Sequence, residues 1–371
     1  MNLVLFLPNW LGDLVMATPA LRAIRRRFGP QTHIVGVVRP HLAGVLEGTT
    51  WLDELWLFDP HDPRPELRRL GIVREMRRQQ VDIAVLLTNS LYTGLMAWLG
   101  RARQRIGYVR YGRGPLLTGK LHPPRVNGRI APSPMVGYYL KLAQAVGAAP
   151  ESSRLELATT AADELSADRV WESLGLRPDG RVVLLNAGGA YGPAKRWPLA
   201  RLAELSRRIA GELDHDALIL CGPREREMAR EALRLADHPR VFSMADQALE
   251  MGTVKACIRR GRLMVTTDSG PLHIATAFGV PVIALYGPTL QAWTANPTAA
   301  VENLQLDLEC IGCQRRVCPL GHNRCMSELG IDRVLAKVVG LLDRGTKPSG
   351  APGGTGDWGI EVPSPPVEIG D

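Results

Sequence analysis

Residues 266–289 read TTDSGPLHIATAFGVPVIALYGPT. The run leaves an apolar, β-branched stretch (Leu263–Thr267), passes through Asp-Ser-Gly-Pro-Leu-His, continues with a short helical spacing from Gly270 and enters a second apolar run, Val280–Tyr286. Parallel strands covered on both faces read as unbroken apolar runs, so strand, helix and strand in this order predict a parallel sheet. Asp268, Ser269 and Gly270 then stand at a strand-to-helix junction, where capping residues leave backbone N–H groups pointing past the sheet edge. Ligands of open α/β sheets bind at that carboxyl edge.

The same alternation extends through the chain. Leu3–Leu7, His33–Val38, Glu54–Phe58 and Ile83–Leu87 read as strands; Pro19–Phe28, Pro65–Gln80, Leu91–Leu99 and Met135–Val146 have helical spacing. From about Gly112 to Pro134 the pattern breaks into Gly, Pro and Arg, the composition of a loop. Alternation restarts near Arg181: strands at Val182–Asn186, Ala217–Cys221 and Val241–Ser243, helices at Pro198–Leu213 and Arg224–Leu235, and a further helix ending at Ile258. The expected fold is therefore α/β, with two Rossmann-like, doubly wound domains, 1–150 and 181–344, joined by a linker region, 151–180. Residues 345–371 have the Pro/Gly-rich composition of a disordered tail.

At 371 residues, with 45% hydrophobic and 22% charged residues, the chain has the bulk and composition of a two-domain globular protein. No apolar run approaches the roughly 20 residues of a membrane span. MNLVLFLPNWLGD lacks a basic leader and reads as a strand, which predicts a cytoplasmic protein without a signal peptide. The net charge of +8 is lopsided: residues 1–150 carry 20 Lys and Arg against 9 Asp and Glu, an excess of +11, while the remainder carries −3. Either the basic helix faces are merely solvated, or this half meets something anionic. With aromatics at 5% and no aromatic-interleaved basic patch, nucleic acid is disfavoured as partner.

Chemistry-bearing residues cluster after predicted strands. Gly12 and Asp13 follow the first. Asp13 alone reads as a helix-end dipole partner, but facing a cleft it is a candidate general base. In the second domain, NAGGAYGPAKRWP places Asn186, Gly188 and Gly189 in a loop suited to an anion, with Lys195 as its cation. The loop matches neither GxxxxGK[ST] nor GxGxxG, so no P-loop or dinucleotide fingerprint is read. Glu225 and Glu227 open a helix, where carboxylates ordinarily complement the dipole; either could accept from ribose hydroxyls, with Glu225 the first candidate and Glu227 the second. His273 lies one turn into the helix after Asp268, a position more common for a structural histidine than for a catalyst.

Taken together, TTDSGPLHIATAFGVPVIALYGPT, GPAKRWP and PNWLGDLVMATPALRAIRRRF resemble the ADP-heptose:lipopolysaccharide heptosyltransferases of glycosyltransferase family 9, nearest their heptosyltransferase II branch, over residues 1–343. The resemblance implies a GT-B architecture and inverting, metal-independent transfer without a cofactor. The first domain would bind a lipid-linked lipopolysaccharide inner-core acceptor and the second ADP-heptose. It implies Asp13 as the base, Lys195 as the cation beside the departing diphosphate, Asp268 on the heptose hydroxyls, and Ser269, Gly270 and His273 shaping the pocket. An anionic acceptor suits the +11 half. Arg105, Arg110 and Arg113, read as following a strand, are candidate acceptor contacts, and peripheral contact with the inner membrane surface follows from such an acceptor.

Cys310, Cys313, Cys318 and Cys325 fall within CIGCQRRVCPLGHNRCM, with His322 nearby. Close-set thiols suggest a structural role, metal-bound or reduced, although the short spacing between pairs departs from common zinc ribbons. No catalytic metal is expected. Two alternatives remain: a transferase of the same family with another nucleotide sugar or acceptor, and a non-catalytic nucleotide-binding module.

Overall fold

The computed structural model describes residues 1–186, 188–189, 191–296 and 300–344. Its first strand shows why a parallel sheet forms. Leu3, Leu5 and Leu7 join one apolar cluster, while Val4 and Phe6 join another on the opposite face. A strand apolar on both faces needs covering layers above and below it.

The first sheet contains β1 (Asn2–Phe6), β2 (His33–Val38), β3 (Glu54–Leu57), β4 (Ile83–Leu86), β5 (Gln104–Tyr108) and β6 (Gly119–Leu121). All pair parallel, in the order β3-β2-β1-β4-β5-β6. A small antiparallel hairpin, β7 (Arg125–Val126) and β8 (Arg129–Ile130), follows. The second sheet repeats the order as β11-β10-β9-β12-β13-β14, with β9 (Val182–Asn186), β10 (Asp216–Ile219), β11 (Val241–Ser243), β12 (Leu263–Thr267), β13 (Val282–Tyr286) and β14 (Val301–Gln305), again all parallel. In each sheet strand order reverses beside the first strand, which opens a crevice at the carboxyl ends of β1 and β4 and of β9 and β12.

Helices α1 (Leu11–Met16), α2 (Thr18–Phe28), α3 (Arg69–Arg78), α4 (Leu91–Leu99) and α5 (Met135–Ala145) belong to the first lobe. The stretch read as a linker holds α6 (Ala161–Leu174), whose Thr160–Asp163 capping box fixes its start. The second lobe adds α7 (Leu199–Glu212), α8 (Arg226–Ala236), α9 (Met251–Arg259), α10 (Gly270–Ala277), α11 (Gln291–Thr294), α12 (Arg324–Ser327) and α13 (Ile331–Asp343). The 112–134 stretch is not all loop, since β6 extends the sheet edge. The basic helix expected over Pro65–Gln80 is broken at Arg68, whose extended backbone separates a 3-10 turn, Pro65–Leu67, from α3. The expected tail lies outside the described residues.

The lobes meet where α1 packs on α10. A Cβ at Gly12 would come within 2.7 Å of the His273 ring, and one at Gly270 within 2.5 Å of Leu11. Two glycines thus let the helix that follows β1 lie directly against the helix that follows β12.

Candidate active site

That contact sets Asp13, in the first turn of α1, opposite the strand end of β12. Tyr139, from α5, donates its hydroxyl to Asp13 Oδ1 at 3.1 Å. Burial pushes the Asp13 carboxyl above the usual carboxylate range; the Tyr139 hydrogen bond lowers it, the Asp268 charge raises it and Lys195 lowers it. Asp13 is therefore electrostatically coupled to two residues of the other lobe, and its burial makes the ionised carboxylate more basic than a solvated one.

Lys195 and Asp268 form a buried pair. Lys195 Nζ donates to Asp268 Oδ2 and to the Asp268 carbonyl, both at 2.8 Å, and stands 4.5 Å from the centre of the Tyr191 ring. Thr289, after β13, donates to the same Asp268 Oδ2 at 2.6 Å. His273 is buried beneath this pair, and burial holds its imidazole well below the ordinary value and hence neutral. Its ring fills the space over Gly12.

The anion loop is held from both sides. Asn186 donates to Thr266 and Ser269 hydroxyls at 3.2 and 3.1 Å and accepts from the Gly188 N–H at 3.3 Å. Glu225 accepts from the Gly189 N–H at 2.7 Å and the Gly222 N–H at 2.9 Å, and a Cβ at Gly188 would strike its carboxylate. In this state Glu225 clamps the loop, with one N–H on each oxygen and further lone pairs for a hydroxyl. Glu227 is exposed and paired with Arg230, away from the cleft. Ser269 is the N-cap of α10 without a side-chain cap bond, and Gly270 is its first residue, so the positive end of the helix lies beside Lys195.

The basic residues expected to meet an acceptor divide. Arg113 is corrected: it is fully buried, with its guanidinium donating to the Tyr108 and Thr88 carbonyls and to Asn89, out of reach of an external anion. Arg105 is corrected also. It lies within β5 rather than after it, and its guanidinium ties the Leu116 and Ala102 carbonyls at 2.7 and 2.6 Å. Arg110 remains half-buried near Tyr138 and stacks on Tyr111. Sequence reading passed over a cavity of about 150 Å³ at the carboxyl ends of β1, β2 and β4, bordered by Asn9, Arg39, Phe58, Arg69, Ser90 and Tyr92. Arg69 stacks 4.4 Å over Tyr92. Position after a strand was the available signal for Arg39 and for Thr289; nothing in the sequence marked Tyr139.

All six cysteines are free thiols. Among the described residues no three His, Cys, Asp or Glu side chains are placed to hold a metal ion, and no helix is long and apolar enough to cross a membrane.

Two doubly wound lobes with their switch-point crevices turned to one cleft, and a buried carboxyl opposite a cationic loop, define the GT-B class of glycosyltransferase. The Glycosyltransferase family 9 (heptosyltransferase) model matches residues 69–323, and the chain belongs to that family. It is 24% identical over 356 residues to lipooligosaccharide heptosyltransferase 2 of Campylobacter jejuni, covering 92% of this chain and 98% of that protein. The crystal structure of a family 9 glycosyl transferase from Veillonella parvula superposes with a TM-score of 0.76 at 24% identity over 92% of this chain and 97% of that one. The E. coli ADP-heptose lps heptosyltransferase II structure gives 0.73 at 21% identity over 93% and 99%.

Proposed function

We propose that this enzyme transfers heptose from ADP-heptose to the heptose/Kdo inner core of lipopolysaccharide, inverting the anomeric carbon without a metal. The observation that carries the reading is the placement of Asp13 against the Lys195–Asp268 pair across the α1–α10 contact. The names of its relatives point to the same donor and acceptor classes.

In this mechanism Asp13 accepts the proton of the acceptor hydroxyl as that oxygen attacks the anomeric carbon. A carboxylate whose ionised form is disfavoured by burial is a stronger base than a solvated one, and Tyr139 fixes the oxygen that stays behind. The bond to the diphosphate breaks on the opposite face. Lys195 and the N-terminus of α10 stabilise the charge that develops there, in a site shielded from water. Asp268, held by Lys195 and Thr289, contacts the sugar hydroxyls, and Glu225 keeps the glycine loop in shape for the nucleotide. The Arg39–Arg69 cavity and Arg110 receive the anionic acceptor, which is presented at the inner membrane surface.

The deciding test is heptose transfer from ADP-heptose to a defined Kdo–heptose acceptor, run beside UDP- and GDP-sugars. Asp13→Ala is expected to lose at least a hundredfold in turnover, about 3 kcal/mol of transition-state stabilisation, with ADP affinity retained. Transfer from another nucleotide sugar in preference to ADP-heptose would move the enzyme to a different donor within the family, and full turnover by Asp13→Ala would remove the base.

A further inference from the structure

Residues 310–325, the segment with four cysteines, fold back against the glycine loop of the donor site. Ala194 N–H donates to the Arg316 carbonyl at 3.1 Å, Tyr191 Oη to the Gln314 carbonyl at 2.6 Å, and Gln314 N–H to the Pro288 carbonyl at 2.7 Å. Gly192 has φ +154°, and a Cβ there would lie 2.5 Å from the Arg316 carbonyl. Only glycine admits so close an approach. The segment is thus fixed by its backbone beside Lys195, and the exposed side chain of Arg316 extends from it over two aromatic rings at the lobe junction. The Arg316 guanidinium stands 5.7 Å from the Tyr191 ring and 5.6 Å from the ring of Trp10, which immediately precedes α1 in the other lobe. Lys195 shares the Tyr191 ring. Among the described residues Lys195 is neutralised by Asp268, whereas Arg316 meets no carboxylate. Two cations on one phenol ring, one of them without a counter-charge, make a place for an anion.

We propose that Arg316 is a donor-binding residue whose guanidinium takes the phosphate oxygens of the nucleoside diphosphate, releasing Trp10 and Tyr191 when the site fills. A planar fork suits two phosphate oxygens at once. The inference rests on the donor reading above, and its test separates the two. Calorimetric titration with ADP and with adenosine is made on wild type, Arg316→Ala and Arg316→Lys. Because the segment is anchored through main-chain atoms, truncating the side chain leaves it in place, which an unchanged melting temperature verifies. The expected result is ADP binding weakened about tenfold or more in Arg316→Ala, an intermediate loss in Arg316→Lys and unchanged adenosine affinity. Equal ADP affinity in wild type and Arg316→Ala overturns the inference alone; if the acceptor KM rises instead, the guanidinium serves the acceptor. A wild-type protein that ignores ADP overturns the donor reading as well.

Discussion

The Asp13 carboxyl sits where its own ionisation is unfavourable, with burial and the Asp268 charge both raising its pKa from the ordinary 3.8. In acid below both values it is protonated in the folded and unfolded chain alike, so it makes no difference to stability. As pH rises past 3.8 the unfolded chain ionises first, and the folded state loses stability until the raised folded value has been passed. Asp13→Asn, which keeps an oxygen for Tyr139, is therefore expected to melt above wild type at neutral pH, by about 2–4 °C for each kcal/mol relieved, with the gap closing below about pH 4. Thermal melts across pH check this, and a variant melting no higher than wild type at neutral pH would show that the charge is not strained. At the Lys195–Asp268 pair, by contrast, removing one partner is expected to destabilise the fold. Asp268 is 6% exposed, and without the ammonium it is a buried, underpaired carboxylate. Lys195→Met should lose about 3–5 kcal/mol of stability, and adding Asp268→Asn should restore the melting temperature but not the turnover.

Among the elements, the α1–α10 contact depends on what is missing from Gly12. Gly12→Ala puts a methyl 2.7 Å from His273 Cδ2, so either the ring moves or the lobes part. Overpacking of this kind costs about 1–3 kcal/mol, and here the displacement falls between Asp13 and the Lys195–Asp268 pair. Turnover is expected to drop at least about tenfold, and Gly12→Ala combined with His273→Ala to recover part of it, a coupling that a double-mutant cycle in kcat measures. Additive losses would mean that the two residues do not meet. Elements of this kind differ in how readily the sequence reveals them. His33–Val38, Leu91–Leu99, Val182–Asn186 and Leu263–Thr267 are recovered to the residue, because burial on both faces confines polar residues to the strand ends and the helix spacing is unbroken. β14, VENLQ, lies at a sheet edge with polar residues outward, and β6 is three residues long, so neither carries that signature. α1 was hidden by the glycine inside it. The same asymmetry holds at the site. Asp13 and Asp268 stand out as polar residues beyond a buried strand, and Lys195 as a cation after a glycine-rich turn, and the structure brings Lys195 and Asp268 together. Arg113 looked like any other surface arginine, because a sequence shows a charge but not the three oxygens that have already claimed it.

Across the whole molecule the lobes are joined by one more buried charge. Lys255, on α9 of the second lobe, is fully buried and donates to the carbonyls of Val45 at 3.3 Å, Glu47 at 3.0 Å and Ala158 at 2.9 Å. The first two belong to the first lobe and the third to the crossing segment, so a single ammonium binds both lobes and the connection between them. Asp163, on α6, lies 4.0 Å away, and the close approach of Gly252 to its carboxylate presses α6 onto α9. Lys255→Met fills similar space but leaves three carbonyls without their donor, at about 1–3 kcal/mol for each that water cannot reach. A fall in melting temperature of several degrees is expected on that account. ADP affinity should stay near wild type, because Lys195, Asp268 and the glycine loop all lie within the second lobe. Turnover should fall, because the proposed transfer needs Asp13 held against that lobe and Lys255 sits at the joint that holds it. Melting curves, ADP titration and kcat on the one variant test this division of labour. A loss of ADP affinity equal to the loss of turnover would place Lys255 in the support of the donor site rather than in the alignment of the two lobes.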